Sequence, residues 1–511
     1  MFTNAKSFVL IMPAPLFALM VSVCSECAWA PTPSFPSESE LQGRALGEWV
    51  SSPGRYGETD ADWGYLFVPE DRTANSRTIR LIVVRQRSIN APDFPPIFNL
   101  VGGPGNSNVW GSGELPASFH ERNDVVRVGY RGIDSNVPLK CPEFTSALQT
   151  DRPLSVDNIE TARKQLRTCN DRLRAEGIRL DGYNLAEVIN DLEAARVALG
   201  YDRINLLAVS WGTQIALSYA TRHPEHVHRM LLIGAGGRAR GFDLWDPKII
   251  DQKLRAYSAL WSADPRSAAR TPDLVSTIRK VFAALPQDWR GIHIDPDKVR
   301  LVMWHMLGDT ASAAQFFDAV VDAEHGDPAG LALLSWSYDH ELKKEQDRRF
   351  GPYHGEFFAK VMSSGLDPVR EWIHEMDPEW SIMGSPAAKL LWGAASHGGF
   401  PMREIPPEYR RNSDIDAESA VLAGDLDVAA PVEYVKSELM PHLKRGQLVV
   451  LSNRAHGDLI RLEPEAFHGF ARRFFYEGIV DSSGFANHSV RFQPEQSLSR
   501  QARELFPQGN R

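Results

Sequence analysis

The 511 residues carry 56 Lys and Arg against 65 Asp and Glu, a formal charge of −9. A chain that gripped nucleic acid by its phosphates would carry a basic excess, so that class of partner is excluded. A hydrophobic fraction of 43% with 24% charged residues also excludes wholesale disorder and collagen-like repetition. The length accommodates two or three average domains, or one large α/β core with a single big insertion.

The first thirty residues combine one positive charge at Lys6, an apolar stretch from Phe8 to Val23 and a small-x-small site at Ala28-Trp29-Ala30. This is the pattern of a secretory signal peptide over residues 1–30, although Pro13 and Pro15 interrupt the stretch and Pro31 follows the expected cut. The alternative within the same region is a lipid anchor on Cys24, since Val21-Ser22-Val23-Cys24 is similar to a lipoprotein box. Cys24 and Cys27 belong to this region, which leaves Cys141 and Cys169 in the mature chain. In an oxidising compartment those two form the expected disulfide. Two cysteines without a matching His cluster make no four-ligand zinc site, and neither an H-E-x-x-H helix nor a P-loop occurs. No metal or other cofactor is expected.

Short aliphatic runs follow at 64–68, 78–84, 96–101, 124–128, 204–210 and 230–234, and each reads as a strand. Residues 191–199 have apolar positions at helical spacing and stop at Gly200, and a second helix follows Ser210 and ends before His223-Pro224. Buried strands alternating with helices predict an α/β fold with a mostly parallel sheet covered on both faces. From about 240 to 410 the strand pattern gives way to helical stretches that hold eight of the 13 tryptophans. Strands resume at 420–424 and 447–451, a helix begins near Val432, and 464–476 forms a closing amphipathic helix. The predicted organisation is a signal peptide (1–30), a first core segment (31–239), a helical lid insertion (240–410), and a second core segment with a tail (411–511). Beyond about Asp481 the tail is polar and expected to be loosely held.

Ala208-Val209-Ser210-Trp211-Gly212 lies at a strand-to-helix junction, where a nucleophile elbow needs small residues around a sharply turned serine. Ala208 takes the place of the usual first glycine. Upstream, the strand ending at Val101 runs into Gly102-Gly103-Pro104-Gly105, a turn open enough for backbone N–H groups to reach a reacting carbonyl. Pro104 has no N–H, so Gly103 is the donor expected to join that of Trp211 in an oxyanion hole. A serine nucleophile needs a base and an orienting acid. After the two late strands come Asp427, with Asp425 as competitor, and His456, with His468 as the competitor in the final helix.

Together these segments resemble the α/β-hydrolase fold and, within it, the proline iminopeptidase and tripeptidyl aminopeptidase family of serine peptidases. The resemblance rests on Gly102 to Gly105, on Tyr130-Arg131-Gly132-Ile133-Asp134-Ser135 with its departure at Asp134, on residues 183–200, and on Ser210 to Thr213. His223 to Val227 and Gly424 to Asp427 with Pro431 continue it. It implies a catalytic triad of Ser210, Asp427 and His456, because the family's acid precedes a proline by four. It also implies an enzyme that removes residues from peptide N-termini, and the signal peptide makes that enzyme an exported one, periplasmic or secreted. The substrate would be a peptide or a small ester or amide, with no nucleic acid and no stable membrane association beyond a lipid anchor. An esterase or amidase with the same triad, and a silent binding protein on the same fold, are the rival readings. An aminopeptidase must neutralise the substrate's ammonium group. Asp339 and Glu341, beside Trp336 and Tyr338 in the lid, are the expected partners, against the alternative of a solvated face shared with Lys343 and Lys344.

Overall fold

The computed structural model describes residues 33–110, 115–347 and 353–507, so the expected signal peptide and the lipoprotein-box cysteine lie outside the described residues. The strands run in chain order as β1 (Trp49–Tyr56), β2 (Thr59–Pro69), β3 (Thr78–Gln86), β4 (Ile97–Leu100), β5 (Val125–Val128), β6 (Ile204–Val209) and β7 (Val227–Ile233). Then come β8 (Gln287–Trp289), β9 (Ile292–Ile294), β10 (Glu418–Gly424) and β11 (Gly446–Leu451). Nine of them form one sheet in the order β1-β2-β3-β5-β4-β6-β7-β10-β11. The first four in that order pair antiparallel, and every pair from β5 to β11 is parallel.

Burial explains the parallel half. All four residues of β4 and all four of β5 are buried, as are the first five of β6, so these strands read as continuous apolar runs rather than alternating ones. The helix Leu185–Ala198 begins where the Asn184 side chain accepts from the Glu187 N–H at 2.9 Å. It stops at Gly200, whose φ of +75° releases the chain toward β6. The helix Trp211–Arg222 returns antiparallel to β6 and feeds β7, a βαβ unit that brings consecutive parallel strands side by side.

Between β7 and β10 no described strand joins the sheet, and the chain is mainly helical, as the periodicity predicts. It also contains the two-stranded β8-β9 hairpin, which the sequence reading leaves out because each strand has only three residues. The tail corrects another expectation. Phe492, Leu498 and Ala502 are buried, and the helix Leu498–Leu505 packs along the helix Ala329–Asp347. Its apolar residues form a single narrow stripe on an otherwise charged segment, so composition hides what periodicity reveals. Among the described residues no helix is long and apolar enough to cross a membrane.

Cys141 and Cys169 are joined, with Cα atoms 5.4 Å apart, and both are buried where the short helix Pro142–Ala147 meets the long helix Val156–Ala175. Closing a loop of 28 residues lowers the entropy of the unfolded chain. The double replacement Cys141→Ala and Cys169→Ala is therefore expected to lower stability by roughly 3–4 kcal/mol. Guanidinium titration of the two proteins checks it, and an unchanged midpoint refutes it.

Candidate active site

Four loops converge at the carboxyl ends of β4, β6, β10 and β11, the edge at which open parallel sheets place their reactive groups. Ser210 follows β6 with φ 56° and ψ −122°, a backbone conformation that a residue with a Cβ adopts only under strain. Its N–H donates to the Ile233 carbonyl (2.8 Å), and its own carbonyl accepts from the N–H (2.8 Å) and hydroxyl (2.5 Å) of Thr213. These bonds hold the elbow from both sides. Gly212 completes it, since a Cβ there would lie 2.3 Å from the Leu100 carbonyl oxygen. Only glycine lets the helix settle onto the end of β4 so closely. Ala208 is fully buried inside β6, in register with Leu100 and Leu232, so its methyl group is absorbed by the sheet.

The glycine turn after β4 lies beside this elbow. Tyr130 donates its hydroxyl proton to the Val101 carbonyl (3.0 Å), and its ring meets the Trp211 indole edge-on at 5.3 Å. The Gly102–Gly105 turn and the Trp211 N–H are thus on the same side of the sheet edge. Asn108 ties the turn to the ends of β4 and β5, accepting from Val101 N–H (2.9 Å) and donating to the Asn99 (3.0 Å) and Val128 (2.9 Å) carbonyls. Asp134 completes the cradle, accepting from the Asn108 and Tyr130 N–H groups (2.9 and 3.0 Å) and from the Ser107 hydroxyl. Burial pushes its carboxyl up to about 6, against the pull of those donors. Asp134 is the residue at which the sequence departs from the family pattern, and its role as an anchor is not legible from spacing.

Asp427 is fully buried beyond β10, with one carboxylate oxygen accepting from the Ala429 and Ala430 N–H groups (both 2.8 Å). The other oxygen faces His456 Nδ1 at 2.6 Å. Asp425 takes a different part: its carboxylate accepts from the Asn453 N–H at 2.7 Å, fastening the β10 loop to the β11 loop. His468 packs its ring against Phe119 and Phe467 in the closing helix. His456 lies over Gly234, where a Cβ would stand 2.6 Å from its Cε1. Gly234 directly follows Ile233, the residue that accepts the Ser210 N–H, so serine and imidazole share one short piece of backbone.

The loop that carries His456 is also fixed from above. The Gly457 N–H donates to the Gly308 carbonyl (2.7 Å), and Asp458 accepts from the Ala455 (2.9 Å) and Thr310 (3.1 Å) N–H groups. Desolvation raises the Asp458 carboxyl to about 6. Over the site runs an aromatic roof. Trp245 donates its indole N–H to the Ala429 carbonyl (3.2 Å) and stacks on Trp392, which stacks on Phe357. This roof connects the Asp427 loop to the glycine turn, where Phe357 packs beside Gly105.

Asp339 and Glu341 lie apart from one another. Two positions along a helix are separated by about 200°, so both cannot face one site. Asp339 accepts from Lys298 Nζ (2.9 Å), which also pairs with Asp151. Glu341 is buried and lies near His305, an imidazole that burial pushes down to about 4. Among the described residues no group of three or more His, Cys, Asp or Glu side chains could hold a metal ion.

Residues 95–285 match the family model described as alpha/beta hydrolase fold. The chain has the α/β-hydrolase fold. It resembles a tripeptidyl aminopeptidase of Streptomyces lividans, 29% identical over 226 residues that make up 39% of this chain and 41% of that protein. It is also similar to the serine protease Hip1 of Mycobacterium tuberculosis, 29% identical over 220 residues, 40% of this chain and 39% of the relative. A proline iminopeptidase of Xylella fastidiosa is 42% identical over 48 residues, 9% of this chain and 15% of the relative. The chain thus matches about two fifths of the length of the tripeptidyl aminopeptidase and of Hip1.

Within this α/β-hydrolase fold, Gly234 is a neighbour of His456 that sequence reasoning passes over. Its only signal is a glycine immediately after a continuous apolar strand. Gly234→Ala puts a methyl group where the His456 ring lies, at a φ of +56°. Moving an imidazole by about 1 Å is enough to cost roughly 100-fold in rate. Aryl ester hydrolysis by the variant is expected to fall by that order with far-UV circular dichroism retained, and an unaltered rate refutes it.

Proposed function

We propose that this protein is an exported serine hydrolase of the aminopeptidase type. The reading rests on one juxtaposition: a strained Ser210 at the end of β6, beside a buried His456 whose Nδ1 is 2.6 Å from the Asp427 carboxylate. Ser210 attacks the carbonyl carbon of the scissile bond while His456 Nε2 takes its hydroxyl proton. Asp427 accepts from Nδ1–H, which fixes the tautomer that leaves Nε2 basic, and stabilises the imidazolium as it forms. The N–H groups of Gly103 and Trp211 receive the charge on the carbonyl oxygen. The imidazolium returns the proton to the leaving amine. Water, activated by the same imidazole, then releases the acyl group from Ser210.

Export is supported by the buried Cys141–Cys169 disulfide, a pairing that persists outside the reducing cytosol. The preference for peptide N-termini is supported by the likeness to the tripeptidyl aminopeptidase. In this reading the lid supplies the partner of the substrate's ammonium group. Of the two acids expected for that role, Glu341 is the better placed, since a closed pocket needs a buried acid and the Asp339 side chain is partly exposed.

Labelling by an aryl fluorophosphonate tests the nucleophile. Wild type is expected to label with one equivalent, while Ser210→Ala neither labels nor retains more than about 0.1% of turnover, a loss typical of removing one triad member. Labelling of the Ala variant at the wild-type rate rejects Ser210.

Matched substrates test the ammonium site. Glu341→Gln is expected to reduce cleavage of free-amine amides by at least about tenfold, the worth of one buried charge pair, while sparing N-acetylated esters. Asp339→Asn is expected to change both classes little. Equal losses on both classes for either variant remove that residue from the ammonium site.

A further inference from the structure

The glycine turn is held from two directions, and only one of them belongs to the sheet. Asn108 and Asp134 secure its base, as described above. The far end, Gly105, is taken up entirely by the chain that follows the lid's longest helices. The Tyr353 N–H donates to the Gly105 carbonyl at 3.0 Å, and the Gly105 N–H donates to Glu356 Oε2 at 2.7 Å. Glu356 lies in the first turn of the helix His354–Ser363, with no solvent exposure. Its other oxygen is 3.0 Å from Lys360 Nζ, one helical turn on and equally buried. Lys360 in turn donates to the Tyr183 carbonyl at 3.0 Å. The Glu356 side chain is pressed against the second loop of the site as well, since a Cβ on Gly132 would come within 3.0 Å of its Cγ.

An ion pair withdrawn from water on both sides is costly, and apolar residues of the same volume would often serve stability as well or better. Its retention here goes with a specific contact. A carboxylate accepting from a backbone N–H makes a bond about twice as strong as a neutral acceptor would. The bond is made at Gly105, two residues beyond the Gly103 N–H. Desolvation raises the Glu356 carboxyl while Lys360 and the Gly105 N–H pull it down, so the pair and the turn are electrostatically one unit.

We propose that Glu356 is a positioning residue for the oxyanion turn: by fixing Gly105 it holds the Gly103 N–H in line with the carbonyl oxygen that Ser210 converts to an oxyanion. The proposal rests on the reading of Ser210, Gly103 and Trp211 given above. It makes the lid a component of the catalytic apparatus, in addition to any contact it makes with substrate.

The test separates the acceptor from the buried charge. Glu356→Gln with Lys360→Met removes both charges and keeps an oxygen for Gly105. Glu356→Ala with Lys360→Met removes the oxygen too. Neither double variant leaves an unpaired buried charge, and equal thermal midpoints verify that both fold. The first is expected to keep kcat on an N-acetylated aryl ester within about tenfold of wild type. The second is expected to lose about 100-fold in kcat, comparable to losing an oxyanion donor, with KM changed less than about threefold. Affinity for an alkyl boronate, whose tetrahedral adduct places an oxygen in the oxyanion hole, is expected to fall in parallel with kcat.

Equal kcat in two folded double variants overturns the proposal, as does a loss that appears in kcat without any loss of boronate affinity. A loss confined to free-amine substrates also overturns it, and makes Glu356 a substrate ligand. A wild type that fluorophosphonate does not label overturns the underlying reading and this proposal with it, whereas a labelled wild type with equal double variants leaves the reading standing.

Discussion

The arrangement at the carboxyl edge of the sheet depends on how closely the helix after Ser210 can lie on the end of β4. Gly212 leaves no room for a side chain above the Leu100 carbonyl, and the helix N-terminus is drawn down beside the glycine turn as a result. That contact forces the strained backbone at Ser210, since a chain leaving β6 must reverse within one residue to reach it. The strain is held by the Thr213 bonds to the Ser210 carbonyl, by the Ser210 N–H bond across to Ile233 of β7 and by the packing of Trp211 on Tyr130. The sheet supplies the rigidity, and the serine stores the cost.

The other residues of the site are organised by a similar economy of backbone. Each loop is pinned by a carboxylate that accepts main-chain N–H groups: Asp134 under the glycine turn, Asp427 in its own loop, Asp425 between the β10 and β11 loops, and Asp458 between the His456 loop and the lid. Burial alone would make Asp134, Asp427 and Asp458 unfavourable, and for Asp134 and Asp458 it raises the carboxyl toward neutrality. Oriented N–H donors offset that cost and give each loop a single conformation. The groups read as catalytic are thus embedded in acids whose work is geometric.

Much of this was legible in the residues because the signals are local. A continuous apolar strand followed by small-x-Ser-x-Gly announces the elbow, and the order of Ser210, Asp427 and His456 after successive strands follows from the same pattern. What escaped is either marginal or long-range. β1 was missed because Ser51, Ser52, Pro53 and Gly54 break any alternation, which an edge strand tolerates and an inner one would not. The contact between Glu356 and Gly105 joins residues 251 positions apart, and no spacing rule reaches that far. Asp339 and Glu341 are different: the helical period alone puts these two candidates on separate faces.

The helix Leu498–Leu505 has a bearing on how the molecule is made. It covers apolar surface of a lid helix that precedes it by the whole second core segment, and Asp427 and His456 lie between the two. A growing chain therefore carries Ser210 and that helix before Asp427, His456 and the covering helix are made. During that interval the apolar face of the lid helix lacks the cover that the last helix gives it. Covering of that helix and completion of the Ser210, Asp427 and His456 cluster both wait for residues made from β10 onward.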